Sequence, residues 1–290
     1  MSDLVIGSRG SKLALWQANH IAAKLTAQGH TTRIEIIQTT GDKITDVPLS
    51  KVGTKGLFTK EIEEALLAGT IDLAVHSAKD MPTELPTGLI LSAFPERQDP
   101  RDAIIGEMPK GAIVGTSSLR RAAQLKTMRS DVDIRDLRGN VDTRLRKQSE
   151  GQYNAILLAA AGLIRLGWQD RITTYLNPAE FVPAVGQGAL AVETRDDGAK
   201  GHQAAAAMDD AETRARLTAE RAALRALGGG CQVPMGAHAI LEAGILKIHG
   251  IVVSLDGRTA IRAEAQGPAA AAEEIGAELG EKLLNAGARL

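Results

Sequence analysis

The only cysteine of this 290-residue chain, Cys231, stands in Gly228-Gly229-Gly230-Cys231-Gln232-Val233-Pro234. A thiol can serve as nucleophile or covalent anchor. Three glycines let the backbone turn sharply and hold the sulfur on a loop, and Val233-Pro234 forces an extended exit. A buried, inert thiol is the ordinary alternative. A second candidate is Asp80 in Val75-His76-Ser77-Ala78-Lys79-Asp80-Met81-Pro82. It is either a turn residue before proline or, with Lys79, a fixed charge facing a cleft. The third candidate is a set of arginines in Gly115-Thr116-Ser117-Ser118-Leu119-Arg120-Arg121 and in Asp136-Leu137-Arg138-Gly139-Asn140-Val141-Asp142-Thr143-Arg144. From residue 110 to 171 there are twelve Lys and Arg against six Asp and Glu, and nine of those cations are arginine. Arginine forks grip carboxylates bidentately. The surplus is therefore a solvated basic face or a polyanion pocket. A carboxylate such as Asp80 does not help to hold an acidic ligand. It fits a reaction in which part of the ligand becomes cationic.

These residues fall where apolar strands meet helical patterns. Leu4-Val5-Ile6 reads as a strand, residues 11–28 as a helix, and Ile34–Ile37 as the next strand. A helix over 57–68, a strand Ile71–Val75 running into His76-Ser77, and Leu89-Ile90-Leu91 complete a first αβ group. This rhythm predicts a mostly parallel sheet with helices on both faces. After a hinge-like patch, Phe94 to Arg101, a second group follows: Ala112–Val114, a helix over 119–127, Val132–Ile134, a helix over 141–148, and Ala155–Leu158. Ser117 or Ser118 is positioned to cap one helix and Asn140 the next, leaving backbone N–H groups that attract anions. Arginines at two strand ends of one sheet edge would meet where such folds bind ligands. Arg9 holds the matching place after the first strand. Gly188 to Glu193 reads as a strand that returns to the first sheet, giving two crossing connections. From about Ala211 the composition shifts to a helix over 213–227, a strand Ile245–Val253, its hairpin partner Thr259–Ala263 across Asp256-Gly257, and an Ala/Glu-rich helix over 269–284. The expected domains are 1–95 with 188–206, then 96–187, then 207–290. Residues 43–55 are polar and aperiodic, either an ordinary loop or a lid.

Hydrophobic residues make up 44% and aromatics only 2%, so Ala, Leu, Ile and Val must build the cores. One cysteine excludes an intrachain disulfide and fits a reducing compartment. The N-terminus lacks the pattern of a secretory signal, and the longest near-apolar run, 155–164, is too short for a bilayer. A cytoplasmic protein without membrane partner is the expectation. The net charge of −1 argues against a general nucleic-acid binder. Six scattered histidines give no metal-ligand spacing, so no metal is expected. Two rival readings are a non-catalytic carboxylate-binding protein of the venus-flytrap type and a thiol hydrolase pairing Cys231 with His238.

In order along the chain, Gly7-Ser8-Arg9-Gly10-Ser11-Lys12-Leu13-Ala14, Gln38-Thr39-Thr40-Gly41-Asp42, Gly56-Leu57-Phe58 and His76-Ser77-Ala78-Lys79-Asp80-Met81-Pro82 resemble the porphobilinogen deaminase (hydroxymethylbilane synthase) family. So do Gly115–Arg121, Leu137–Asn140, Gln187-Gly188 and Gly230–Pro234. The ordered set is far more specific than any member and spans nearly the whole chain. The resemblance implies an α/β protein with two periplasmic-binding-protein-like domains joined by a crossing hinge, plus a small α+β C-terminal domain. It implies a dipyrromethane cofactor joined to Cys231 by a thioether, and head-to-tail condensation of four porphobilinogen molecules with loss of ammonia. Linear hydroxymethylbilane is then released by hydrolysis. A chain of up to six carboxylate-bearing rings is a polyanion, which suits the arginines. The implied catalytic residue is Asp80, placed to stabilise the azafulvenium cation left by ammonia. Cofactor binding is implied for Cys231, Lys79, Asp80, Thr116, Ser117, Arg120, Arg121, Arg138 and Gly188. Substrate binding is implied for Arg9, Ser11, Lys55, Phe58, Arg144, Arg165 and Gln187, with Ser118 a further hydrogen-bonding candidate. Members are generally monomers acting on this small-molecule substrate.

Overall fold

A computed structural model describes residues 3–43, 57–229 and 234–289. Lys55, most of the expected lid, and Cys231 lie outside the described residues. The first segment runs β1 (Asp3–Ser8), α1 (Lys12–Ala27), β2 (Thr31–Ile36), α2 (Thr40–Lys43), α3 (Lys60–Leu67), β3 (Leu73–Ser77) and β4 (Leu89–Ala93). The second runs β5 (Asp102–Gly106), β6 (Ile113–Gly115), α4 (Leu119–Met128), β7 (Asp133–Arg135), α5 (Val141–Ser149), β8 (Ala155–Ala159), α6 (Ala160–Arg165) and β9 (Thr174–Tyr175). The remainder holds β10 (Leu190–Arg195), α7 (Lys200–Ala206), α8 (Ala211–Ala226), β11 (Met235–Glu242), β12 (Ile245–Val253), β13 (Ala260–Pro268) and α9 (Ala272–Asn285).

One sheet has the order β2-β1-β3-β10-β4 and another β7-β6-β8-β5-β9. In each, the first three strands are parallel and the fourth is antiparallel. The fourth strand of the first sheet is β10, which returns after the second sheet is complete, as the sequence predicts. The matching strand β5 is not predicted: its Asp102 start and the preceding Pro-Arg patch hide a short apolar run. Alternation in β1 and β3 sends Leu4, Ile6, Leu73 and Val75 to one face, with α1 and α7, and Val5 and Ala74 to the other, with α3. The second sheet is covered likewise, with α5 and α6 on one face and α4 on the other.

The described residues form two compact units, one comprising residues up to 98 with 189–214 and the other 99–188 with 215–290. Within the second unit, the antiparallel sheet β11-β12-β13 carries α8 and α9 on one face. The two helices approach closely at Gly276 and Gly280, where an added Cβ would lie 2.1 Å from Ala219 O and 2.5 Å from the Ala226 Cβ. The other face meets α4 of the second αβ sheet through Ala123, Val182, Ile251 and Val253. The strand β11 fits the strand-like segment read around His238, although Met235-Gly236-Ala237-His238-Ala239 has weak intrinsic strand preference. Pairing with β12 across Ala243-Gly244, both at positive φ (50° and 79°), makes it a strand. Among the described residues no helix is long and apolar enough to cross a membrane.

Candidate active site

Parallel strands β6, β7 and β8 end at one edge of the second sheet, so Thr116–Arg121, Arg138–Arg144 and Arg165 all leave from that edge. The antiparallel β5 brings its first residue there too, and Asp102 pairs in register with Ala159. This carboxylate, fully buried, is the centre of the cluster. Its Oδ2 accepts from Arg120 Nη1 at 2.7 Å, and its Oδ1 accepts from Arg121 Nε at 2.7 Å and from Arg120 Nη2 at 3.1 Å. Gln187 Nε2 donates to Asp102 Oδ1 at 3.1 Å and to Pro100 O at 2.7 Å. Its Oε1 in turn accepts from both arginines at 3.4–3.5 Å. Burial alone would raise the pKa of Asp102, but the two guanidiniums hold it far below the ordinary carboxylate range.

The doubled arginine thus has an internal partner that the sequence reading missed. The available signal was an acid opening an apolar run, which must find cations once buried. Two arginines against one carboxylate still leave one positive charge. Arg120 Nε is buried without a hydrogen-bond partner among the described residues. An orphaned donor of this kind fits an acidic group supplied from outside. Arg165, also buried, donates from Nη2 to Gly188 O at 2.7 Å. Burial pulls its pKa down to about 10, which leaves it charged at neutral pH.

The adjoining loops are held by their own hydroxyls. Ser117 Oγ donates to Leu137 O at 2.7 Å and accepts from Leu137 N at 3.1 Å, tying the ends of β6 and β7 together. Ser118 caps α4 by accepting from Arg121 N, and Thr116 Oγ1 accepts from Ser118 N. A hollow lined by Thr116, Ser117, Ser118 and Lys126 opens at this N-terminus. Asn140 occupies the N-cap of α5 but makes no side-chain cap hydrogen bond, contrary to the expectation from sequence. Arg138 and Arg144 are half-buried, and Arg144 Nε donates to Gly139 O at 2.7 Å. Part of the cationic surplus is a solvated face: Arg129, Arg135 and Arg146 pair at the surface with Asp131, Asp133 and Glu150.

In the first unit, β1 and β3 are parallel, so Arg9 and Asp80 leave the same edge of their sheet. After β3 the chain makes a 3-10 turn, Ala78–Asp80. Ala78 N donates to Ala189 O at 3.0 Å, and Ala78 and Met81 are buried at 3% each. Pinned on both sides, the turn leaves Lys79 half-buried and Asp80 exposed. Asp80 forms no hydrogen bond or ion pair with any described residue. Beneath the turn, Gln17 donates to Ser77 Oγ at 2.9 Å, and buried His76 lies 2.9 Å from Glu193.

Arg9 is not free for a ligand in this arrangement. Its guanidinium bonds Asp42 Oδ1 and Oδ2 and lies 4.3 Å from the centre of the Phe58 ring. Burial alone would raise the pKa of Asp42, but hydrogen bonds from Arg9 and Thr39 hold it below the ordinary carboxylate range. A depressed carboxylate pKa stabilises the fold above its unfolded value of about 4, and this contribution disappears as pH falls through the folded value. The urea midpoint should therefore fall as pH drops below about 4, less steeply in Asp42→Asn. Identical pH dependence in the two chains would show that the pair adds no stability. Ser11 caps α1 by accepting from Ala14 N at 3.3 Å, a structural role in addition to any contact with substrate.

Two doubly wound αβ sheets with antiparallel fourth strands, one carrying an arginine-rich edge, and a small α+β C-terminal part define an α/β protein with an added antiparallel sheet. Residues 4–203 match the porphobilinogen deaminase dipyrromethane cofactor binding domain, and residues 215–285 match the porphobilinogen deaminase C-terminal domain. The chain belongs to the porphobilinogen deaminase family. It is 52% identical over 300 residues to the porphobilinogen deaminase of Syntrophobacter fumaroxidans, covering 100% of this chain and 97% of that one. The Chromobacterium violaceum porphobilinogen deaminase is 49% identical over 298 residues, covering 100% and 96%. Among solved structures, a Bordetella pertussis extracytoplasmic solute receptor binding pyroglutamic acid superposes with a TM-score of 0.41 at 12% identity, covering 72% of this chain and 77% of that one.

Proposed function

We propose that Asp80 is the catalytic group and Cys231 the cofactor anchor of this enzyme. It is a transferase that joins four porphobilinogen molecules head to tail, releasing ammonia, and delivers hydroxymethylbilane. Its dipyrromethane cofactor supplies the nucleophilic primer on which the chain is built. The observation that carries the assignment of Asp80 is its exposed carboxylate, without a described partner, beyond a buried strand end. A carboxylate there stabilises positive charge developing on the substrate pyrrole as ammonia departs, and can accept the proton released after C–C bond formation.

The residues at this sheet edge fit such a cofactor. Arg120, with its orphaned Nε, and Arg121 beside it would hold its acidic side chains, with Thr116, Ser117, Arg138 and Gly188 around them and Lys79 near Asp80. Arg9, Ser11, Lys55, Phe58, Arg144, Arg165 and Gln187 are assigned to incoming substrate. For Arg9 this requires exchanging Asp42 for a substrate carboxylate. Asp102 orients the arginine pair and limits its net charge to one, so the site attracts carboxylates and can still let the product leave. The three-domain division at 95/96, 187/188 and 206/207, a monomeric state, a cytoplasmic location, and the absence of nucleic-acid or membrane partners complete the reading.

Intact mass tests the anchor. The purified chain should exceed its sequence mass by one dipyrromethane, and Ehrlich's aldehyde should colour it. Cys231→Ser should carry little or no adduct. Full activity without any attached pyrrole would overturn the assignment.

A further inference from the structure

Glu220 lies within α8 with no exposed surface, and nothing in the chemistry above uses it. Its carboxylate joins two separate segments. Oε2 accepts from Gly186 N at 2.8 Å and Oε1 accepts from Ala239 N at 2.9 Å. Gly186 immediately precedes Gln187, whose amide contacts Asp102, Arg120 and Arg121. Ala239 lies in β11, the strand that follows the cysteine segment. The helix carrying Glu220 ends at Ala226 and β11 begins at Met235, so the helix that bears it and the strand it binds flank Cys231 in sequence. A hydroxyl or an amide oxygen at this position would present a single oxygen. A carboxylate offers two at fixed separation and can tie both backbone donors at once.

We propose that Glu220 is a positioning residue that fixes the arginine cluster relative to the two elements flanking Cys231, so that a cofactor joined to the cysteine meets the guanidiniums in register. Gly186 has a φ of 72°, where glycine is favoured, so its N–H direction is set by a turn that few other residues would hold. The same turn is bound to the helix and, through Gln187, to Asp102. Displacing Gly186 therefore displaces the group that spaces Arg120 and Arg121. The inference rests on Cys231 being the attachment point.

Glu220→Gln turns one acceptor into a donor that faces an N–H, and Glu220→Ala removes both acceptors. Leu279→Ala is the control: Leu279 is fully buried in the same C-terminal core, and its side chain carries no polar atom that could bond Gly186 or Ala239. The chains are purified in parallel, intact mass gives the ratio of dipyrromethane-loaded to unloaded polypeptide, and thermal melting gives stability. At equal loss of melting temperature, the Glu220 variants should show a loaded-to-unloaded ratio lower by about tenfold than Leu279→Ala, the scale of one lost buried hydrogen bond. A ratio that follows melting temperature identically in all three variants overturns the proposal. Should the Glu220 variants not fold, amide exchange in the wild-type holoenzyme and in Cys231→Ser decides. The Gly186 and Ala239 amides should both exchange faster without cofactor, and unchanged rates overturn the coupling. A wild-type chain lacking the dipyrromethane mass would refute the cysteine assignment instead, whereas loaded wild type with normally loading Glu220 variants refutes only this inference.

Discussion

Asp80→Asn should lower turnover per folded, cofactor-loaded molecule by a factor on the order of 10² or more, the cost of removing one preorganised electrostatic group. The substitution keeps size and most hydrogen-bonding capacity and removes the negative charge. Because Asp80 is exposed and bonds no described residue, no internal contact is lost. Its melting temperature should stay close to wild type, since a surface change away from structural features shifts stability by about 0.5 kcal/mol at most. A turn aspartate before Pro82 would give the reverse, a lower melting temperature with near-normal turnover. Both quantities are to be measured on one preparation after its cofactor content is established by mass. A folded, loaded Asp80→Asn enzyme turning over at close to the wild-type rate would remove Asp80 from the mechanism.

Asp102→Ala should be among the most damaging single changes in the chain. It leaves Arg120 and Arg121 side by side and buried, at 4% and 6% exposure, without the carboxylate both now contact. Removing one partner of a buried ion pair typically costs about 3–5 kcal/mol, because the remaining charge stays desolvated. Here two charges are left, and Gln187 loses one of its acceptors as well. Urea denaturation should show a loss of at least that order, together with poor retention of cofactor. Arg120→Leu and Arg121→Leu should each destabilise less, since Asp102 keeps one guanidinium, yet impair cofactor assembly. An Asp102→Ala chain within about 0.5 kcal/mol of wild type would mean that the arginines find other partners and that Asp102 does not organise them.

Much of this is legible in the amino-acid sequence. Strand–helix alternation follows from local periodicity, so β1, α1, β3, α4, α5 and β8 appear where their apolar patterns place them, and the return of β10 to the first sheet follows from its isolated apolar run. Asp80 and the arginines were likewise visible as chemistry at strand ends, because a parallel strand delivers the residues after it to one edge. What the local pattern does not contain is which side chains meet across that edge. The strands β5 and β11 exist because neighbouring strands need partners, and neither has a strong propensity of its own. Asp102 reaches the arginine edge only because β5 runs antiparallel, which no residue in Asp102–Gly106 specifies. The double arginine looked in sequence like an empty anion trap. In the folded chain it is mostly engaged with a buried carboxylate, and Arg9 with Asp42 in the same manner. Full burial accounts for the first pairing, and partial burial contributes to the second. A guanidinium taken out of water must find a counter-charge, and only the tertiary arrangement decides which acid supplies it.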